Sequence, residues 1–205
     1  DWYNTDHDVI KTEKDSSFDT AVINLNGKTI SHHGNSAILM DDENERTGTA
    51  AKSLTVKNGT IKTSGYGATV WGSNKTLILD SVNLTSTSDD NFGIFTNGET
   101  KANTITLLNN SSVTSESTGI YFPGDGKLTV ENSNVTGAIS AIEARAGVID
   151  ISGSSVLEST ADEFKFENNN NGTTTTGAAL AAVKYTVGNN LTVNISGGTF
   201  KGKKG

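Results

Sequence analysis

Hydrophobic and polar residues alternate in short stretches that recur along almost the whole chain. In the clearest copy, Leu54 and Val56 alternate with polar residues, and Ile61 closes the stretch after an Asn-Gly pair. Alternation with a period of two predicts β-strands, because successive side chains of a strand point to opposite faces. Seven copies are recognisable, and the apolar residues that close them are Ile30, Ile61, Leu84, Val113, Val135, Val156 and Phe200.

The closing residues are separated by 31, 23, 29, 22, 21 and 44 positions. A basic period of 21 to 23 residues with insertions indicates one repeated supersecondary unit with loops of different length. A weaker apolar repeat lies between the copies, for example at Ile94 and Ile120, and predicts a further strand in each unit. The pattern therefore predicts an all-β fold, a right-handed parallel β-helix of about seven coils with three short strands in each coil.

The repeat also predicts how the chain is organised. Residues 1–20 lack the pattern, and we expect them to form a cap over the first coil. Residues 21–205 are expected to form the β-helix, as a fragment of a longer solenoid. The largest interruption, at about residues 158–176, contains four consecutive Asn and four consecutive Thr residues and is expected to be a mobile surface loop.

Composition and charge restrict the classes of function. The chain of 205 residues is 33% hydrophobic and carries a net charge of −7, so nucleic acid and anionic membranes are unfavourable partners. It has no cysteine and no apolar run of membrane-spanning length, and we expect no direct insertion into a membrane. The absence of cysteine is consistent with an exported bacterial protein.

The repeats of the type Leu-Thr-Val-x-Asn-Gly-x-Ile, together with the opening residues 1–4 and 9–12, resemble the passenger domains of bacterial autotransporters. The likeness is to the pertactin-like type and to the adhesins of diffuse adherence and self-aggregation. It implies a right-handed β-helix that is secreted and displayed at the bacterial surface through a C-terminal β-barrel of the outer membrane. It also implies a role in virulence, by adhesion to host glycans or extracellular-matrix proteins or by homotypic association.

Candidate catalytic and metal-binding residues are sparse. The motifs of polygalacturonase-like enzymes are missing apart from isolated carboxylates. The only histidines are His7, His32 and His33, and the adjacent pair is expected to point into solvent at a bend. The acidic stretch at 41–45 lacks the spacing of a helix-loop-helix calcium site. We therefore predict a non-enzymatic protein without a cofactor, a metal or catalytic residues.

Alignment of the weaker repeat suggests a binding surface. It places a column of side chains on one strand face, and the charge of Glu143 indicates that this face is the outer one. The next position on the same face contains Asp41, Asn97 and Arg145. Aromatic rings beside carboxylate, amide and guanidinium groups suit a sugar chain lying along the solenoid. The column consists of Leu39, Val70, Phe95, Tyr121, Glu143 and Ala181, and the hypothetical ligand-binding residues are Phe95, Tyr121, Glu143, Arg145, Asp41 and Asn97.

Several alternatives remain open at this point. The column could pack under the long loops, or lie in the core if the register is shifted by one residue. The fold could carry a polysaccharide lyase or hydrolase, or a glycan-binding accessory module, or it could be an inert stalk. A second column at the bends, which includes Asn58, Asn110 and Asn132, is interpreted as structural, because Asn and Gly tolerate left-handed backbone.

Overall fold

A computed structural model describes residues 2–4, 8–12, 18–40, 51–169, 172–183 and 190–203. In these ranges the chain is all-β, without any α-helix, and so without a helix able to cross a membrane. The strands are β1 (Trp2–Asn4), β2 (Ile10–Thr12), β3 (Thr20–Asn24), β4 (Thr29–His32), β5 (Ser36–Met40), β6 (Lys52–Thr63), β7 (Tyr66–Val70), β8 (Lys75–Ser86), β9 (Ile94–Thr96), β10 (Asn103–Leu108), β11 (Ser112–Ser115), β12 (Ile120–Phe122), β13 (Gly126–Glu131), β14 (Asn134–Gly137), β15 (Ile142–Ala144), β16 (Gly147–Ser152), β17 (Val156–Ser159), β18 (Lys165–Asn169), β19 (Gly172–Thr176), β20 (Leu180–Ala182), β21 (Leu191–Ile195) and β22 (Thr199–Lys201).

The strands form two parallel sheets and one hairpin. The larger sheet has 13 strands and is strongly curled, because the 12-residue strands β6 and β8 each bend and pair along both halves with different neighbours. The smaller sheet has seven strands in the order β2-β5-β7-β9-β12-β15-β20, all parallel. Strands β18 and β19 form a separate antiparallel hairpin. Most parallel partners are one sequence repeat apart, which is the pairing that the periodicity predicts.

The alternating apolar residues form the core. In β6, Leu54 and Val56 are at most 1% exposed, while Thr55 between them is half-buried. Parallel pairing brings Leu54 beside Leu77, which in turn pairs with Ile105, so that like residues stack along the sheet. Full burial of such a side chain stabilises the fold by roughly 1.5–3 kcal/mol. The core is therefore a continuous stack of aliphatic side chains.

The structure corrects the predicted alignment at three places. Ile23 pairs with Val56 and not with Leu54, because Asn26 and Gly27, both with positive φ, add residues to the bend that follows. Leu157, and not Val156, pairs with Val135 at the closing position. In the smaller sheet, Thr69 rather than Val70 pairs with Phe95. At Asn26 and near Val156 the error arises because added residues at a bend, two and one respectively, shift the register without changing the local alternation. In the smaller sheet it arises because Ala68 occupies the position of Ile38 and not that of Ala37.

Two segments outside the predicted repeat also contain strands. Near the amino end, β1 pairs in parallel with β4, and β2 pairs in parallel with β5, so both strands continue the existing sheets. The segment at 158–176, which the sequence predicts to be a mobile surface loop, contains the end of β17 and both strands of the β18–β19 hairpin. Backbone hydrogen bonds therefore pair the described part of this segment into strands, which its low hydrophobicity did not indicate.

The bends between the two halves of the larger sheet contain left-handed residues, as the Asn column predicts. Asn58, Ser81, Asn110 and Asn132 have φ values between 47° and 62°. Side chains at or near the bends also form hydrogen bonds to the neighbouring repeat, as in the 3.2 Å hydrogen bond from Asn58 Nδ2 to the Oδ1 atom of Asn24. The column is structural in this respect, because it allows the chain to turn at each repeat.

Ser81 is the bend residue least suited to left-handed backbone, since Asn and Gly tolerate it better. We expect Ser81→Asn to raise the free energy of unfolding by about 0.5 kcal/mol and Ser81→Val to lower it by about 1–2 kcal/mol. Urea denaturation measures both changes. Thr85→Asn, on an ordinary strand position, is the control and is expected to be neutral or slightly destabilising; a comparable gain there would show that backbone strain is not the cause.

Candidate functional site

Most of the predicted column lies on the outer face of the seven-stranded sheet, but Val70 points into the core and Thr69 takes its place beside Phe95. Phe95 pairs with Tyr121, and Tyr121 pairs with Glu143, so these three residues stand side by side on neighbouring strands, as predicted. Their neighbours Ile94 and Ile120 point inward into the core. The alternation of the strands thus separates an apolar inner face from an outer face that carries aromatic and charged groups.

Five aromatic residues meet on this outer face and are here called the aromatic cluster: Tyr66, Trp71, Phe92, Phe95 and Tyr121. The chain has only two Trp, four Tyr and seven Phe, so five of its thirteen aromatic residues gather at one place. The rings of Phe92, Phe95 and Tyr121 lie within 17° of parallel, with centroids 4.9 to 5.7 Å apart. Such spacing is typical of offset stacking, and all five side chains stay half-buried.

An ion pair continues the column beyond the rings. The Nη2 and Nε atoms of Arg145 donate hydrogen bonds of 2.7 and 3.0 Å to Oε1 of Glu143. The guanidinium carbon of Arg145 lies 5.1 Å from the ring centroid of Tyr121, which is a cation–π contact. Both charged side chains are at most 3% exposed. The prediction of an exposed Glu143 is therefore wrong, although the residue does lie on the outer face.

The β18–β19 hairpin helps to bury this ion pair. The Thr174 side chain and the Thr175 backbone N–H donate hydrogen bonds to the Glu143 carboxylate. Burial raises the pKa of Glu143 above its ordinary value, and the contacts with Arg145 and the two threonines only partly oppose this effect. The β18–β19 hairpin, which is part of the largest interruption of the repeat, thus covers the carboxylate of Glu143.

A cleft of about 370 Å³ lies between the aromatic cluster and the hairpin. This volume falls at the lower end of the range of small-molecule sites, about 300–1,000 Å³. The cleft is therefore lined by aromatic rings, by three residues that carry hydroxyl groups and by the ion pair. The residues lining it are Phe92, Phe95, Thr118, Tyr121, Ile139, Glu143, Arg145 and Thr174.

One predicted site residue, Asn97, does not line the cleft. Asn97 is 8% exposed, and its Oδ1 accepts a 2.9 Å hydrogen bond from the backbone N–H of Glu99. Its carbonyl oxygen accepts a 2.6 Å hydrogen bond from the Thr100 hydroxyl. Asn97 therefore stabilises the turn after β9 and does not line the cleft. Asp41 lies outside the described residues.

The sequence reasoning missed several residues of the site, including Tyr66, Phe92, Thr118 and Thr174. The first three each directly precede a glycine at or near the start of a smaller-sheet strand. Backbone hydrogen bonds from Gly67 to Phe92 and from Gly93 to Thr118 show that they occupy equivalent positions in successive repeats. Alignment of the residue before each glycine would have detected this second aromatic position. Thr174, in contrast, has no repeat signal because it belongs to the inserted hairpin.

Few charged groups line the cleft. Glu143 is the only carboxylate lining it, within the described part of the chain, and general acid–base hydrolysis of a sugar needs a pair. In the same ranges no three His, Asp or Glu side chains come close enough to hold a metal ion. His32 is buried rather than solvent-facing, and its Nδ1 lies 2.7 Å from the Thr63 hydroxyl oxygen.

Comparison of the chain with protein families, curated proteins and solved structures finds no match. The resemblance to autotransporter passengers thus stays a prediction from the sequence.

Removal of one partner of the buried ion pair should be costly. Arg145→Met leaves the Glu143 carboxylate without its cation, and we expect the free energy of unfolding to fall by about 3–5 kcal/mol. The double variant Glu143→Leu/Arg145→Met removes both charges and should recover most of this loss. Urea denaturation measures both. Lys201→Met, which breaks the exposed pair with Glu158, is the control and should cost about 0–1 kcal/mol. Equal losses in Arg145→Met and Lys201→Met would contradict the burial argument.

The raised pKa of Glu143 gives a pH dependence with a definite sign. The folded protein holds a proton on this carboxyl at pH values where the unfolded chain, with a pKa near 4.5, has released it. The contribution of Glu143 to stability is therefore fully present below pH 4.5 and is lost as the pH rises through the folded pKa. In Glu143→Gln this part of the pH profile should be absent, as measured by urea midpoints between about pH 4 and 7. Parallel profiles for the two proteins would contradict the assignment.

Proposed function

We propose that this protein is a non-enzymatic adhesin that binds a glycan in the cleft between the aromatic cluster and the β18–β19 hairpin. The observation that carries this proposal is the gathering of five half-buried aromatic rings on an outer sheet face. Core packing does not require them there, because the inward residues of the same strands already fill the interior. Half-exposed aromatic rings beside hydroxyl groups combine apolar contact area with hydrogen bonding, which is the chemistry of a sugar-binding surface.

The proposed fold is a right-handed parallel β-helix of about seven coils. Its support is the series of six parallel pairings that joins seven first strands in chain order, namely β3, β6, β8, β10, β13, β16 and β21. Parallel strands that are joined by a crossover connection take the right-handed path in about 98% of cases. A β-helix also provides the extended, repetitive outer surface that a chain-like ligand can follow.

The proposed setting is the bacterial cell surface, with host glycans or matrix proteins as partners. The absence of cysteine, the acidic charge of −7 and the resemblance of the repeats to autotransporter passengers support this setting. A carbohydrate-active enzyme is the weaker alternative, because Glu143, the only carboxylate lining the cleft among the described residues, is held in an ion pair with Arg145. An inert stalk would not explain the aromatic cluster.

The test is binding of the purified chain to an array of neutral oligosaccharides, glycosaminoglycans and matrix proteins. We expect saturable binding to saccharides. Phe92→Ala and Tyr121→Ala should each weaken it about tenfold, since a stacked ring contributes on the order of 1 kcal/mol beyond its buried area. Phe92 lies in the turn before β9, so its removal should disturb the sheet less than removal of Tyr121.

Phe166→Ala is the matched control, because Phe166 is 62% exposed and does not line this cleft. Thermal melting of all variants separates lost binding from lost folding. Sedimentation velocity on the same samples detects homotypic association, the second function that the resemblance implies. Absence of saccharide binding, or equal binding by well-folded Phe92→Ala and wild type, would rule out the glycan site.

A further inference from the structure

We infer that the cleft selects an uncharged saccharide segment over uronic-acid or sulfated sugars. This inference rests on the proposed glycan-binding function and specifies its ligand class. It follows from the way the charges of the cleft are already paired.

The only cation among the lining residues of the described chain is already engaged. Arg145 donates two hydrogen bonds to one oxygen of Glu143, and its guanidinium also lies over the ring of Tyr121. Recognition of a carboxylate or sulfate by arginine normally uses the same planar set of donors. An acidic sugar that took these two donors would displace Glu143 and leave a buried carboxylate without its cation.

The surroundings add negative rather than positive charge. Burial, with a smaller contribution from the charge of Asp90, raises the pKa of Tyr66 in the aromatic cluster, so the Asp90 carboxylate acts on this face. The whole chain carries a net charge of −7. Both charges oppose the approach of a polyanion, and the effect is strongest at low ionic strength.

The remaining lining groups match a neutral sugar. Thr118, Tyr121 and Thr174 carry uncharged hydroxyl groups. The Thr174 hydroxyl donates to Glu143 and the Thr118 hydroxyl oxygen lies 3.5 Å from that of Ser140, but a hydroxyl that makes one hydrogen bond still has further acceptor capacity. The stacked rings offer apolar surface to the C–H groups of a pyranose. Attraction of this kind needs no ionic partner on the ligand, so salt should scarcely change it.

The experiment compares neutral oligosaccharides with uronate-containing and sulfated oligosaccharides of matched length, on the array and then by calorimetry. We expect the neutral class to bind at least about tenfold more tightly, and its affinity to change less than about twofold between 0.05 and 0.5 M NaCl. Glu143→Gln should raise the ratio of the affinity for acidic saccharides to that for neutral ones, because it removes the carboxylate that neutralises Arg145. Glu158→Gln, outside the cleft and paired with Lys201, is the control and should leave the ratio unchanged.

The outcomes distinguish the two proposals. Tighter binding of acidic saccharides, steeply weakened by salt and lost in Phe92→Ala, would overturn the inference of a neutral ligand and leave the glycan site standing. An unchanged ratio in a folded Glu143→Gln variant would also contradict it. Absence of binding to every saccharide would overturn the proposed function itself, and the inference with it.

Discussion

Backbone hydrogen bonds between parallel strands one repeat apart are the interaction on which the rest of this structure depends. They hold each strand in register with the next, so that every inward residue lies beside another inward residue. Leu54, Leu77 and Ile105 form one such line, and Phe95, Tyr121 and Glu143 form another on the outer face. A shift of one residue would exchange the two faces, so core and candidate site are specified by the same register.

The line on the outer face includes one charged residue, Glu143. Glu143 continues the line of Phe95 and Tyr121, but an isolated carboxylate beside aromatic rings would be poorly solvated. Arg145, which directly follows the end of β15, neutralises it, and the inserted hairpin contributes hydrogen bonds from Thr174 and Thr175. The ion pair thus joins three parts of the site: the strand that carries it, the ring of Tyr121 and the hairpin.

This arrangement gives the cleft two different walls. The aromatic wall belongs to the repeat, because successive strands place their rings at equivalent positions. The hairpin wall belongs to a single insertion, which is fastened to the repeat through Glu143. A surface built in this way can keep a regular scaffold while the insertion determines which ligand fits. The charge pairing inside the cleft accounts for the preference for neutral sugars that we infer.

The sequence by itself determined the strands, their parallel order and most of the apolar core, because the alternation at Leu54 and Val56 is a local property repeated along the chain. It also placed Phe95, Tyr121 and Glu143 on one line, since the repeat between β9, β12 and β15 contains no irregular residue that shifts their pairing. Register was not determined across the bend at Asn26, where two residues are added, or near Val156, where one is added, because added residues change the pairing and leave the alternation intact. Phe92 and Tyr66 follow the repeat and could have been found from it. Only the tertiary structure decided that Glu143 is buried and that Asn97 serves a turn, because these properties depend on which other segments contact the residue, and the hairpin that covers Glu143 has no periodic signal that a sequence could reveal.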